Sequence, residues 1–418
     1  MAILKGEAAA ERVQELSERG QKTTRFEKTV RPIVEDVRRN GDRALRKYAE
    51  RWDGLHQQRG ERGQSLMVTS EEMQSAWESL SRDSRAALRE AASRVRQFCS
   101  WQMPAEWIRS KDGVRLGQVI RPLASVGCYV PGGLYPLPST LLMTVIPAQV
   151  AGVPDVCVAS PNPRPATMAA AAMLGVREFY RIGGAQAIAA LAYGTKSIPR
   201  VQKIVGPGNA YVTAAKKLIA FDCSIDMLAG PTEAVVLLES GNPTFIASDL
   251  VAQAEHDRQA IPVFVTSSRK LAQAVEREIK RLVSKNAIAQ QAWRNNGCVL
   301  LAKSHAQAIT WANGIAPEHI TVARNDIAAI QAAGSIFVGD YSAQPAGDYA
   351  SGPNHVLPTK GSARFRGGLS VLDFLKVITV QELTPSGAKS LAPTVIQMAE
   401  LEGLKAHADS IRVRCNYA

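Results

Sequence analysis

Val201-Gln202-Lys203-Ile204-Val205-Gly206-Pro207-Gly208-Asn209-Ala210-Tyr211 passes from an apolar strand pattern, through a glycine turn, into a helix pattern. The spacing predicts a strand over 201–205 and a helix over 210–219. The same succession recurs upstream. Ser125 to Val130 reads as a strand ending in Tyr129-Val130-Pro131-Gly132-Gly133, and Val156 to Ala159 reads as another before an Ala-rich helix over 166–174. Phe179 to Ile182 then leads into Gly183-Gly184-Ala185-Gln186 and a helix over 187–193. Strand, glycine turn and helix repeated in this way mark a parallel α/β sheet. Ligands in such sheets bind beyond the carboxyl ends of the strands, where helix N-termini offer free N–H groups to phosphates. No Gly-x-Gly-x-x-Gly opens any of these units, so the ordinary dinucleotide fingerprint is missing.

A second α/β block begins near Ile225. Strands are expected at 234–238, 261–266, 298–302, 320–322 and 335–338, with helices over 269–283 and 305–313 between them. Asn242-Pro243 is a good helix start, a capping amide before a proline. That helix is expected to run to about His256, placing Gln253 and His256 on one face. Residues 1–110 read as helices with charged outer faces. Val30, Ile33, Val34 and Val37 trace a one-sided apolar stripe, and no chemistry is apparent there. Beyond Asp373 the chain reads as largely helical.

Composition excludes several classes. The 418 residues are 46% hydrophobic, enough for more than one core, and carry a formal net charge of +12. A basic balance suits anionic ligands such as a dinucleotide. Nucleic acid ranks low, because no zinc-finger spacing, basic heptads or aromatic RNA-binding pattern accompanies the charge. The six cysteines are scattered without a Cys-x-x-Cys pair, which fits free thiols in a reducing cytoplasm. The polar N-terminus is no signal peptide, and the apolar run 141–153 is too short to cross a membrane.

Residues 346–374 carry the densest chemistry. Gly347, Gly352, Pro353, Pro358 and Gly361 surround Asp348, Asn354 and His355, a composition that argues for a shaped loop in place of a regular helix. Of six histidines, His256, His319, His355 and His407 lie beside Gln253, Glu318, Asp348 and Glu402, while His56 and His305 sit among polar helix residues. Histidine with carboxylate is a ligand set that suits zinc, but spacing alone does not single out the site.

Seven motifs, in order along nearly the whole chain, resemble the histidinol dehydrogenase family. They are Val126-Gly127-Cys128-Tyr129-Val130-Pro131-Gly132-Gly133, Gly183-Gly184-Ala185-Gln186-Ala187, Gly206-Pro207-Gly208-Asn209, Gln253-Ala254-Glu255-His256-Asp257, Ala316-Pro317-Glu318-His319, Gly347-Asp348-Tyr349 through Leu357-Pro358-Thr359, and Glu402-Gly403-Leu404-Lys405-Ala406-His407. The resemblance implies an NAD-dependent enzyme with one zinc ion per subunit, bound by Gln253, His256, Asp348 and His407. It implies Glu318 and His319 as the catalytic acid/base pair. Thr232, His355 and Glu402 match substrate contacts, to which the zinc ligands and His319 also belong, and Tyr129, Gln186 and Asn209 match cofactor contacts. It also implies two incomplete Rossmann-like lobes in a homodimer whose tail reaches the neighbouring active site. The expected boundaries are an N-terminal helical arm over 1–24, a first lobe from 25–128 and 233–369, a second, NAD-binding lobe over 129–232, and a helical tail over 370–418. Two positions depart from the family: Thr232 stands where serine is common, and Arg258 where proline often follows Asp257.

The implied reaction is the oxidation of L-histidinol through L-histidinal to L-histidine with two NAD, the last two steps of histidine biosynthesis. His319 suits the base that removes the hydroxyl proton, and Glu318 suits activation of the water that hydrates the aldehyde. A relative acting on another alcohol, such as a sulfonated diol, is the main competitor. Glu402 disfavours it, because a carboxylate pairs with an ammonium and repels a sulfonate. A nucleotide-binding regulator without catalysis would not need Glu318, His319 and a full ligand set together.

Overall fold

The computed structural model describes residues 3–21, 26–55, 65–132 and 135–416; the expectations for Gly133 and His56 lie outside them. The chain opens with strand β1 (Ile3–Lys5) and helix α1 (Gly6–Glu18). Helices α2 (Glu27–Asn40), α3 (Asp42–Trp52), α4 (Ser70–Ser79) and α5 (Arg82–Trp101) follow. Strands β2 (Trp107–Lys111) and β3 (Val114–Pro122) then lead into the first alternating block. That block runs β4 (Ser125–Tyr129), α6 (Pro138–Ala151), β5 (Asp155–Ala159), α7 (Pro165–Met173) and β6 (Glu178–Tyr180). It continues through α8 (Gly184–Tyr193), β7 (Lys203–Val205), α9 (Ala210–Ile219) and β8 (Ser224–Ile225).

The second block runs β9 (Glu233–Leu237), α10 (Pro243–Ala254), β10 (Ile261–Thr266), α11 (Arg269–Val283), α12 (Ala287–Asn296) and β11 (Cys298–Leu301). It closes with α13 (His305–Ile315), β12 (His319–Val322), β13 (Ser335–Val338) and the short α14 (Gln344–Tyr349). Strand β14 (Leu375–Leu383) and helices α15 (Pro385–Leu401) and α16 (Lys405–Asn416) end the chain.

Two parallel sheets result, and the mixed α/β class read from the sequence holds. One has the order β1-β11-β10-β9-β12-β13 and the other β6-β5-β4-β7-β8. Their central strands are buried on both faces, which is why Ala234-Val235-Val236-Leu237 reads as an unbroken apolar run. The helices start and stop where their residues demand. Asn242 caps α10 ahead of Pro243, and Gly152, at φ +82°, ends α6 in the left-handed region.

Several sequence expectations need correction. Residues 25–128 do not build the first lobe. Helices α2 and α3 pack on α8 and α9, α4 on α7 and α5 on α6, so this layer covers the second sheet. The first strand of that sheet begins at Ser125, ahead of the expected boundary at 129. The first residues are not a separate arm either: β1 pairs with β11, and α1 packs against α13. The tail is not purely helical, because β14 joins β3 and β2 in a third, antiparallel sheet. Helix α10 stops at Ala254, so His256 lies one tight turn beyond it. The glycine-rich stretch also holds a helix, α14. Gly347 permits it, since a Cβ there would meet the Phe337 ring at 2.6 Å.

Candidate active site

The first sheet builds a polar cluster at the amino ends of its strands. Thr232 immediately precedes β9, and Glu318-His319 opens β12, its hydrogen-bonded neighbour. Ala316 adopts φ +49° where α13 ends and turns the chain into this position. Glu318 is buried and accepts hydrogen bonds from the Thr232 hydroxyl at 2.6 Å and the Glu233 N–H at 3.1 Å. Burial pushes its pKa up to about 7, against the opposing pull of His319 and those donors.

His319 stands between two carboxylates. Its Nε2 lies 3.4 Å from Asp348 Oδ1 and its Nδ1 3.8 Å from Glu318 Oε2. Burial disfavours the imidazolium, but Glu318 and Asp348 outweigh it and raise the pKa. Nδ1 is buried and makes no hydrogen bond, an orphaned polar atom of the kind found where a ligand group completes a site. Asp348 accepts a bond from Gln253 Nε2 at 3.1 Å. Although burial raises its pKa, the His319 hydrogen bond and the charges of His319, His355 and His256 hold the carboxyl below its usual range. Thr232 Oγ1 also lies 3.3 Å from Gln253 Oε1. One hydroxyl therefore touches both the Glu318–His319 pair and the Gln253–Asp348 pair.

His355 comes from the loop after α14. Its Nδ1 lies 2.7 Å from the Asp348 carbonyl, an acceptor, so Nδ1 carries the proton and Nε2 faces the Thr140 hydroxyl at 3.3 Å. Burial lowers its pKa, against the opposing pull of Asp348. Thr140 sits on α6, so this contact joins the two lobes at the site. A cleft of ≈ 400 Å³ opens beside these groups, lined by His319, Phe337, Tyr341, Asn354 and His355 among others.

The expected residues are thus brought together in part. Gln253, Glu318, His319, Asp348, Thr232 and His355 converge, and His256 is exposed but near enough for its charge to act on Asp348. Among the described residues, no three His, Cys, Asp or Glu side chains form a metal-holding group within this single chain. Glu402 and His407 are exposed at the α15–α16 corner, on helices whose main contacts are with each other and with β14.

The second sheet holds Tyr129, Gln186 and Asn209 at its carboxyl edge. The Tyr129 hydroxyl accepts from the Gly184 N–H at 3.1 Å, and the Asn209 side chain accepts from the Tyr211 and Val212 N–H groups. Gln186 Nε2 donates to Asp53 Oδ2 at 3.0 Å, and the Gly183 N–H donates to the same oxygen at 3.2 Å. Asp53 was not anticipated. It ends α3 in the helical layer, 130 residues from its partner, and no local pattern marks it.

Two parallel α/β sheets, one carrying a buried acid–base cluster and the other a row of glycine turns at its carboxyl edge, define a two-lobed α/β enzyme. The histidinol dehydrogenase family model matches residues 16–415. A histidinol dehydrogenase of Aquifex aeolicus is 43% identical over 97% of this chain and 96% of its own, and one of Bacillus subtilis is 43% identical over 93% and 92%. The crystal structure of histidinol dehydrogenase from Elizabethkingia anophelis superposes with a TM-score of 0.93 at 34% identity, covering 100% of this chain and 98% of that one. The chain belongs to the histidinol dehydrogenase family and is an oxidoreductase of histidine biosynthesis. An acetylating aldehyde dehydrogenase from Geobacillus thermoglucosidasius, at TM-score 0.51 and 13% identity, shares the fold alone.

Proposed function

We propose that this enzyme oxidises L-histidinol to L-histidine through L-histidinal, with two NAD and one zinc ion per subunit. The buried Glu318–His319–Asp348 cluster beside an open cleft carries this reading. His319 takes the hydroxyl proton of the alcohol. Glu318, with a pKa of about 7, is matched to activating the hydrating water near neutrality. His319, after releasing its first proton to solvent, accepts the proton of the aldehyde hydrate in the second oxidation. Thr232 keeps the Glu318 carboxylate turned toward the cluster, a task for which its hydroxyl serves as well as serine would. NAD supplies the hydride acceptor for both steps.

The donor chemistry suits zinc: an amide oxygen from Gln253, a carboxylate from Asp348 and an imidazole from His256, all N and O ligands. These three would hold the ion together with His407 of the partner subunit. Bound there, zinc supplies a fixed positive centre that orients the substrate's imidazole and amino nitrogens. Glu402 of the partner subunit pairs with the substrate ammonium, which favours histidinol over a sulfonated alcohol. The homodimer is supported by the exposed tail, whose Leu391, Val395, Met398, Leu401 and Leu404 face outward as an uncovered apolar stripe. Tyr129, Gln186 and Asn209 contact the NAD. The six cysteines are free, five of them buried, and no described helix is long and apolar enough to cross a membrane. Both suit a cytoplasmic enzyme.

The test is stoichiometric. With L-histidinol limiting, two NADH should form per histidine. One NADH with accumulated free aldehyde would overturn the second step.

A further inference from the structure

Inside the second lobe one ion pair is buried completely. Lys216, on the inner face of α9, and Asp226, just past β8, have side chains only 2% and 0% exposed and bond directly to each other. Both grip the same residue, through the peptide groups on either side of it. Lys216 Nζ donates to the Gly206 carbonyl at 2.8 Å, and the Gly206 N–H donates to Asp226 Oδ2 at 2.7 Å. The other carboxylate oxygen also takes the Met227 N–H. Gly206 has no freedom left: it sits at φ +115°, and a Cβ there would lie 2.0 Å from the Tyr129 carbonyl oxygen.

A fully buried ion pair seldom stabilises a fold better than well-packed apolar residues would, because desolvation cancels most of the attraction. Something other than stability must account for this one. Its remaining hydrogen bonds point to the answer, since two of them run to the first residue of Gly206-Pro207-Gly208-Asn209. That turn links β7 to α9 and ends at Asn209, whose side chain begins the helix. We propose that Lys216 and Asp226 are positioning residues for the dinucleotide, clamping Gly206 so that the 206–209 turn keeps the shape that NAD binds. The inference rests on the reading of the second lobe as the NAD site.

The test is a double variant with no buried charge, Lys216→Met with Asp226→Leu, in the full-length enzyme. NAD is titrated directly, and KM for NAD is compared with KM for histidinol, kcat and zinc content. The expected result is a rise of about tenfold or more in Kd and KM for NAD, with zinc and KM for histidinol unchanged and the melting midpoint near wild type. Lys216→Gln with Asp226→Asn restores both hydrogen bonds to Gly206 without charge and should return NAD affinity to within about threefold of wild type. A folded Met/Leu variant that binds NAD as wild type does would overturn the inference, leaving the pair a purely structural one. Should that variant fail to fold, Lys216→Met with Asp226→Asn frees only the Gly206 carbonyl, and unchanged NAD affinity in it overturns the inference equally. Asn209→Ala separates the two levels. If it leaves NAD affinity intact, the NAD reading of the lobe falls and the clamp with it. If it weakens NAD while the clamp variants do not, only the clamp falls.

Discussion

The two sheets share an architecture and use opposite edges. The second presents its carboxyl edge, where β4 ends at Tyr129, β6 is followed by Gly183-Gly184 and β7 by Gly206. The first presents its amino edge, where Thr232, Glu318 and His319 stand at the starts of β9 and β12. Helix caps explain the division. At the carboxyl edge of the first sheet, Asn242, Ser268 and Ser304 each take an N–H of α10, α11 and α13. Glu239 takes the Ser267 N–H, and His305 bridges Glu239 and Asp326. That edge has satisfied its own donors. In the second lobe α6, α7 and α8 begin at Leu137, Arg164 and Gly183 with no side-chain cap, and only α9 has one, from Asn209. Uncapped helix N-termini are what a phosphate seeks, so the proposed NAD site falls on the open edge of the second lobe, while the same edge of the first lobe is closed by its own side chains.

The sharpest way to break this division is to damage the amino edge alone. His319→Ala should lower kcat about a hundred- to ten-thousandfold while NAD affinity, measured by titration, stays at the wild-type value. Asp348→Ala should lose bound zinc and nearly all turnover, with metal content read by elemental analysis. A large loss of NAD affinity in either would show that the edges do not act separately. His305→Ala, at the closed edge of the same sheet, should leave zinc bound.

A second prediction tests whether the amino edge is complete in one chain. Glu402 and His407 sit on the exposed α15–α16 corner, so His319 and His407 of one site are expected to come from different subunits. Mixing His319→Ala with His407→Ala under subunit exchange places both defects in one site of each mixed dimer and leaves the other site whole. Random pairing should restore about a quarter of wild-type activity. A mixture that stays inactive despite demonstrated exchange would assign the tail to its own subunit.

Most of the two parallel sheets was legible because buried strands must be apolar and glycine turns must punctuate them. Strand 261–266 and helices 210–219 and 269–283 stand where the pattern puts them. The amino-edge placement was not legible: Thr232 and Glu318 precede apolar runs, but the general rule for parallel sheets directs attention to the carboxyl ends of the strands. Strands β2, β3 and β14 were not legible either, because their sheet is largely exposed and lacks a clean apolar face. Nor was the allegiance of α2–α5. An apolar stripe such as Val30-Ile33-Val34-Val37 says that a helix is covered, not which sheet covers it. The site itself joins residues from 140 to 355, so its membership came from family resemblance and its geometry only from the fold. Asp53, Lys216 and Asp226 act through non-local backbone contacts, which no spacing rule records.

The smallest expected effect tests how the first lobe satisfies its helix starts. Helix α14, which carries Asp348, has no cap of its own at Ala343. Asp249 on α10 supplies one, accepting the Gln344 N–H, yet burial still pushes its pKa up to about 6. A carboxyl with a raised folded pKa contributes stability that is fully present below its unfolded value. That contribution is lost as pH rises through the folded one. Between about pH 4 and pH 6 the wild type therefore loses stability at this position, and above that range it carries a partly buried charge. Asp249→Asn keeps an oxygen for the Gln344 N–H and never ionises. Relative to wild type it should gain about 1–2 kcal/mol in urea unfolding between pH 4 and pH 8, after allowance for partial solvent access. Zinc content and turnover should stay near wild type. A pH-independent difference between the two proteins would mean that Asp249 ionises normally and that α14 draws its start from elsewhere.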